Sequence, residues 1–318
     1  MVSVVVAAYN AERFIATAID SVLRQTYSNI ELIVVNDAST DSTADIVRSY
    51  LRDGRNIRLF DMPNNQGVSA ARNMAIEAAA GEWIAILDAD DRFAPTRIEV
   101  LLRFAQQTGV DMVADNLELR EFETDLPLGP AFPESWMSSK EEVTTEFLLE
   151  RDLPGLYRRE IGFMKPLLRR RFLVESKITY ATDIWAGEDF LLYMECLLHG
   201  ARFRLLNEQL YIYGVRPGSA SYHRRANLEL VKGNRRLLDV VGPKAGRSLQ
   251  LLEFRGMLLK FEIFKWHCEE RRWAAAFRSA SGIPASYLLA KIGHAAMRRF
   301  GIERGNATEV AFRRMKPS

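Results

Sequence analysis

The sequence predicts an α/β fold: a central sheet flanked by helices, carrying a helical extension at its C-terminal end. Three observations predict it. Short runs of β-branched residues recur through the first 115 residues, segments of helical period separate them, and beyond residue 224 the pattern turns almost wholly helical. Val2 to Ala8 is a continuous apolar run, as in a strand buried on both faces. From Glu12 to Gln25, the residues Phe14, Ile15, Ala18, Ile19, Val22 and Leu23 recur every three to four positions, the pattern of an amphipathic helix. Ile30 to Val35 reads as a second strand, and Ser39, Thr40 and Asp41 offer N-cap oxygens for a helix reaching Leu51. Further strands are expected at Ile57 to Phe60, Trp83 to Leu87 and Val110 to Ala114, with helices over Val68 to Ala80 and Thr96 to Gln107. This spacing implies βαβ units, and so parallel pairing with helices on both faces.

After Leu119 the alternation stops, and Pro127, Gly129, Pro130 and Pro133 mark an irregular connection. A helix is expected over Ser138 to Glu150, capped by Ser138 or Ser139, and another over Glu188 to His199; Phe203 to Tyr213 contains strand-like pairs. Helices are expected over Leu228 to Val241, Leu249 to Glu270 and Ala285 to Phe300. The organisation is therefore a domain over residues 1–224, in halves 1–115 and 116–224, followed by a basic extension over 225–318.

With 318 residues, 48% hydrophobic and 26% charged, the composition excludes a disordered chain, and two cysteines exclude a disulfide scaffold. No cysteine pair has zinc-ligand spacing. Apolar runs fall short of the roughly 20 residues that span a bilayer, and no basic region precedes the first, so a cytoplasmic protein is expected. The net charge of +2 hides an asymmetry: from Lys265 to Ser318 there are eleven Lys or Arg against four Glu. Anionic partners are expected at that end.

Ligands of such sheets bind beyond the carboxyl ends of the strands. There the sequence sets Ala7-Ala8-Tyr9-Asn10, then Asn36-Asp37, then Ala70-Ala71-Arg72-Asn73, then Asp88-Ala89-Asp90-Asp91. Any one of these could be a solvated turn; together they bring a ring, a carboxylate, an arginine and an acidic cluster to one rim. Three acids within four residues repel one another unless a cation neutralises them. Oxygen ligands without nearby His or Cys suit Mg²⁺ or Mn²⁺, which leaves coordination sites for a substrate's phosphates. Asp88 and Asp90 thus point to a metal that bridges protein and nucleoside diphosphate.

These segments, with Gly187-Glu188-Asp189-Phe190, resemble the family 2 glycosyltransferases, which have the GT-A fold, a Rossmann-like mixed sheet flanked by helices. The resemblance fades after Tyr222, and in detail the sequence is similar to bacterial exopolysaccharide transferases of the succinoglycan type. It implies that Tyr9 and the backbone at Ala8 flank the nucleotide base, that Asp37 accepts the N3–H of uracil, and that Arg72 contacts base or diphosphate. It implies that Asp88 lies near ribose and metal beside Ala89, and that Asp90 binds the metal. The family often has two consecutive acids where this chain has Asn36-Asp37.

Inverting transfer needs one base for the acceptor hydroxyl, because a metal can hold the charge of the leaving diphosphate. Glu188 and Asp189 follow the Gly187 turn and open a helix; they could simply cap it, but Asp189 matches the family's base, with Glu188 as an orienting neighbour. Arg216 and Ser219, with Ser221, resemble the family's loop over the diphosphate. His223 reads first as a surface histidine and second as a further metal ligand. Trp136 and Trp185 read as core or as sugar platforms, and the arginines at 158, 159, 169, 170 and 171 as a solvated face or as a contact for a lipid-diphosphate acceptor.

Beyond them, Leu258, Leu259, Phe261, Ile263, Phe264 and Trp266, and then Tyr287, Leu288, Leu289, Ile292 and Met297 among Lys291, Arg298 and Arg299, resemble basic amphipathic helices. Such helices lie in an anionic membrane interface, pack on the body, or join copies. The expectation is therefore a UDP-sugar donor, UDP-glucose foremost, a lipid-linked saccharide acceptor, and a peripheral place on the inner face of the plasma membrane. Nucleic acid is not expected, since the body does not interleave basic and aromatic residues. A non-catalytic nucleotide-sugar-binding scaffold is the alternative. A sugar-nucleotide pyrophosphorylase would need a glycine-rich basic loop after the first strand, where Tyr9-Asn10-Ala11-Glu12 stands.

Overall fold

A computed structural model describes residues 1–51, 56–157, 159–216, 225–242 and 246–289. Ser219, Ser221, His223 and Arg158 lie outside the described residues, as does the expected helix beyond residue 289. The apolar run at the start forms β1 (Val2–Ala8), which pairs in parallel with β2 (Ile30–Asn36) on one side and β4 (Trp83–Ile86) on the other; β3 (Ile57–Asp61) pairs in parallel with β2. Helices α1 (Ile15–Leu23), α2 (Thr43–Tyr50) and α3 (Val68–Ala78) connect them. Their apolar stripes are buried with Val4, Val6, Leu32, Val34 and Ile84. Burial on both faces explains why these strands read as unbroken hydrophobic runs.

The fifth expected strand does not continue this parallel series. It is β6 (Met112–Glu121), preceded by α4 (Arg97–Thr108), and it is separated from β4 by β8 (Leu167–Arg169), which runs antiparallel to both. β6 pairs in parallel with β9 (Phe203–Val215) and antiparallel with β7 (Pro127–Pro130); the short β5 (Arg92–Phe93) pairs with the far end of β9. The order is therefore β3-β2-β1-β4-β8-β6-β9-β5, a mixed sheet of nine strands with β7 beside β6.

The helix expected from Ser138 starts later, as α5 (Thr145–Arg151). Two contacts explain the delay. Glu142 bridges to Arg204, and the Val143 amide donates to the Phe203 carbonyl, so this stretch pairs with β9; Thr144 then caps the helix by accepting the Phe147 amide. After α6 (Arg170–Glu175) come α7 (Glu188–Leu198), α8 (Ala226–Val241), α9 (Gly246–Glu269) and α10 (Trp273–Ser279). Leu251 and Leu252 of α9 join the main core, while Phe254, Leu258 and Phe261 form a smaller one with Leu153, Ile283 and Tyr287. Of the apolar residues of α9 that read as a membrane face, Leu258, Leu259, Phe261, Ile263 and Trp266 are buried and Phe264 is partly buried.

Candidate active site

A cleft of about 690 Å³ opens at the carboxyl ends of β1 and β4, lined among others by Tyr9, Arg72, Asp88, Asp90, Trp185 and Asp189. Ala89, Glu188 and Arg216 also line it. Tyr9 is half exposed there, whereas Ala8 is buried at the end of β1. Gly187 delivers the two acids of α7: its φ of +79° is one that side-chain-bearing residues rarely adopt, and an added Cβ would lie 2.3 Å from Leu230 Cδ2.

The acidic cluster divides into three environments. Asp88 accepts from Arg72 Nη2 at 2.7 Å, and its other oxygen lies 3.0 Å from Lys165 Nζ. Burial alone would raise the pKa of Asp88, but Lys165 and Arg72 outweigh it and hold the carboxyl far below its ordinary range. Asp90 Oδ2 accepts from the Arg216 guanidinium, with Nη2 at 2.8 Å and Nε at 2.9 Å. Asp91 turns into the protein, where it accepts from the Tyr211 hydroxyl at 2.7 Å and the Gly214 amide at 2.9 Å. Burial, with the charges of Asp90 and Asp88, pushes its pKa well up. The mutual repulsion that implied a bound cation is thus relieved in part by the protein's own cations and by withdrawing one acid into the interior.

Across the cleft, Asp189 is 7% exposed. Its Oδ1 accepts from Arg72 Nη1 at 3.0 Å and from the Tyr180 hydroxyl at 3.0 Å; its Oδ2 accepts from Lys165 Nζ at 2.5 Å. Arg72 also reaches Glu188 at 3.0 Å and lies over the Tyr180 ring. Burial, reinforced by the charge of Asp189, raises the pKa of Glu188. For Lys165, burial works against the ammonium, yet Asp189 and Asp88 prevail and raise its pKa. Two buried cations therefore tie Asp88 to Asp189.

Asp37 does not line the cleft. It is buried, and its two oxygens accept the amides of Gln66 and Gly67, both at 2.8 Å, so it clamps the turn before α3. Trp136 stacks on Phe132 and meets Tyr157 edge-on, in an aromatic cluster outside the cleft. Of the described arginines, Arg159, Arg169 and Arg171 lie in different surroundings. Arg159 is buried against Phe163 and Tyr213; Arg169 pairs with Trp83 at the amino end of β4, opposite the cleft; Arg171 pairs with Glu175 on α6.

Lys165, Tyr180 and Glu160 were missed in the sequence. A signal existed for Lys165, a single charge in the otherwise apolar run Ile161 to Leu168. Glu160 lines the cleft beyond Asp189, and burial, with the neighbouring charge of Asp152, raises its pKa to about 7. A divalent cation suits the donor set at the near end, because Asp88 and Asp90 offer only carboxylate oxygens and line an open cleft. Among the described residues no group of three or more His, Cys, Asp or Glu is arranged for a metal, so phosphate oxygens would have to complete the shell.

Comparison with known proteins gives a consistent result. The family model described as glycosyl transferase family 2 matches residues 3–172. The chain is 35% identical over 221 residues to succinoglycan biosynthesis protein ExoO of Rhizobium meliloti, covering 69% of this chain and 62% of that protein. It is 32% identical over 257 residues to ExoU of the same organism, covering 74% and 69%. The chain thus spans about two-thirds of the length of these relatives. Among solved structures, Staphylococcus aureus TarS 1-349 in complex with UDP-GlcNAc superposes with a TM-score of 0.68 at 21% identity, covering 93% of this chain and 85% of that one. The mannosyltransferase PcManGT of Pyrobaculum calidifontis, with GDP-Man and Mn²⁺, gives 0.60 at 21% identity, covering 93% and 80%. These likenesses show the fold, GT-A.

Proposed function

The chain belongs to glycosyl transferase family 2, and from that premise we propose that it is an inverting, metal-dependent transferase. It moves glucose from UDP-glucose to a lipid-linked saccharide in exopolysaccharide assembly. The observation that carries this reading is the cleft in which Asp90 and Asp189 face a common space. The kinship with two succinoglycan biosynthesis proteins supports the pathway class, and TarS with UDP-GlcNAc supports a uridine nucleotide.

The half-exposed ring of Tyr9 would stack on the base. Asp90, with Asp88 beside it, would hold Mg²⁺ or Mn²⁺, which supplies charge neutralisation for the departing diphosphate. Arg216, already on Asp90, brings a planar cation to the same end. On the far side, Asp189 takes the proton of the acceptor hydroxyl as that oxygen bonds to the anomeric carbon and the bond from that carbon to the diphosphate oxygen breaks. Attack from the face opposite the leaving group inverts the anomeric centre.

A membrane-borne acceptor requires the enzyme at a lipid surface, and the helical extension provides one. Trp273 and Phe277, one turn apart on α10, are 58% and 77% exposed beside the exposed Arg271, Arg272 and Arg278. We assign membrane contact to this patch in place of the buried face of α9.

The decisive experiment is a donor hydrolysis screen across UDP-, GDP- and dTDP-sugars with Mg²⁺ or Mn²⁺. Turnover of UDP-glucose above the others is expected; preference for another nucleotide overturns the donor assignment. Asp189→Asn should cut transfer by about 100-fold or more while UDP still binds by calorimetry. Unchanged turnover in that variant removes Asp189 from the role of base.

A further inference from the structure

Lys165 is 5% exposed, and it spends its charge on two carboxylates that the proposed reaction uses for different ends: Asp88 at 3.0 Å and Asp189 at 2.5 Å. A lysine kept only to neutralise buried acid would need no fixed backbone. This one has it. The carbonyl of the preceding Met164 accepts from the Tyr193 hydroxyl at 2.7 Å, and the carbonyl of Lys165 itself accepts from Arg97 Nη2 at 2.5 Å. Arg97 is in turn fully buried, paired with Asp115 at 2.7 Å and laid against the rings of Phe93 and Tyr211. The β8 connection is thus anchored to α4, β6 and α7 at the place where the ammonium leaves the backbone.

We propose that Lys165 is a positioning residue of the transfer reaction, fixing the Asp189 carboxylate in register with donor-side Asp88. The proposal rests on the reading of Asp189 as base. Among the described residues, Arg72 and Tyr180 donate to Oδ1 of Asp189 and Lys165 donates to Oδ2, so Lys165 adds the second anchor that resists rotation of the carboxylate. A carboxylate anchored at both oxygens cannot rotate, and a base held near its productive geometry needs no reorganisation when the acceptor hydroxyl arrives. During the step the hydroxyl proton passes to Asp189; Lys165 keeps its own protons and contributes orientation and charge. Because it acts on the transfer step through Asp189, its removal should lower kcat only while Asp189 is present, whereas any effect through Asp88 would appear in the UDP dissociation constant.

That last condition is the test, made on the full chain with the donor that the hydrolysis screen identifies and with UDP as the binding probe. Lys165→Met should lower kcat by about 100-fold while the UDP dissociation constant moves by less than about threefold. Lys165→Arg keeps the charge but changes reach and shape, and should lower kcat by about tenfold with Tm near that of the parent. In the Asp189→Asn background, Lys165→Met should cause no further loss, since both changes then remove one interaction. The double variant and Lys165→Arg decide the matter if Lys165→Met alone does not fold. Parental turnover in Lys165→Met or Lys165→Arg overturns the proposal, as does a full further loss in the double variant, the mark of a lysine with a purely structural role. Parental turnover in Asp189→Asn alone defeats instead the reading of the base.

Discussion

Asp88, Asp90 and Asp91 are near neighbours in the chain with three different fates, each decided by what its side chain meets. Asp88 meets two buried cations, Asp91 a tyrosine and a backbone amide, and Asp90 the edge of an open cleft with one arginine. Asp90→Ala should therefore abolish the gain in UDP affinity on adding Mn²⁺, whereas Asp91→Asn should keep it; paired calorimetric titrations with and without metal check both. Glu160 gives a prediction of another kind. Its pKa is raised from about 4.5 to about 7, so the folded state holds the proton more tightly than the unfolded chain does. Its contribution is fully present below pH 4.5 and is lost as pH rises through 7, a span worth roughly 2–4 kcal/mol. Glu160→Gln should lose this dependence, and denaturant titrations of both proteins from pH 5 to 8 should diverge by that amount. At this scale the sequence showed the residues that a strand end throws into solvent, Tyr9 and Asp90 among them. It did not show Asp37 turning onto the amides of Gln66 and Gly67, nor Lys165 meeting an acid 24 positions away, because both depend on how loops fold back.

Elements differ in legibility for a related reason. β1, β2 and β3 and the helices between them lie within a few residues of where periodicity puts them, since each buries an apolar stripe that the sequence must supply. β8 is three residues long and runs antiparallel between β4 and β6, too short to show a period, so periodicity alone implied parallel pairing while the family resemblance implied the mixed sheet that forms. That small strand has a large consequence, because the connection leading into it carries Lys165 to the cleft. The anchor of the connection is the buried pair of Arg97 and Asp115, both essentially without solvent contact. Removing one partner of such a pair strands the other's charge in a low-dielectric interior. Arg97→Met should accordingly cost about 3–5 kcal/mol in chemical denaturation, and should cost less when Asp115→Asn accompanies it. A destabilisation below 1 kcal/mol, on the order of a surface ion pair, would show that the pair contributes little to anchoring the connection.

At the scale of the molecule, one helix links the cleft to the aromatic patch proposed as the lipid contact. Arg255 and Glu262 of α9 line the far end of the cleft, and the helix continues to Glu269, where the chain turns into α10 with Trp273 and Phe277 outward. At 1.5 Å per residue, Glu262 and the end of α9 are separated by roughly 10 Å, a span that a saccharide anchored at a membrane can bridge. The charge asymmetry fits this geometry. The basic excess from Lys265 onward surrounds the aromatic patch in sequence, while the rest of the chain is mildly acidic and would be repelled by an anionic bilayer. The chain should therefore float with vesicles of phosphatidylcholine containing a third phosphatidylglycerol, and should bind pure phosphatidylcholine far less. Trp273→Ala with Phe277→Ala should release it by about tenfold, since two interfacial rings bring most of the apolar area. UDP binding should be unchanged, because the patch lies outside the cleft. Added salt should weaken binding in the parent and in the double variant alike, as the arginines remain. If the double variant floats like the parent, the patch is not the lipid contact; if it loses a self-associated state by light scattering instead, the rings join copies of the chain and the acceptor reaches the cleft by another face.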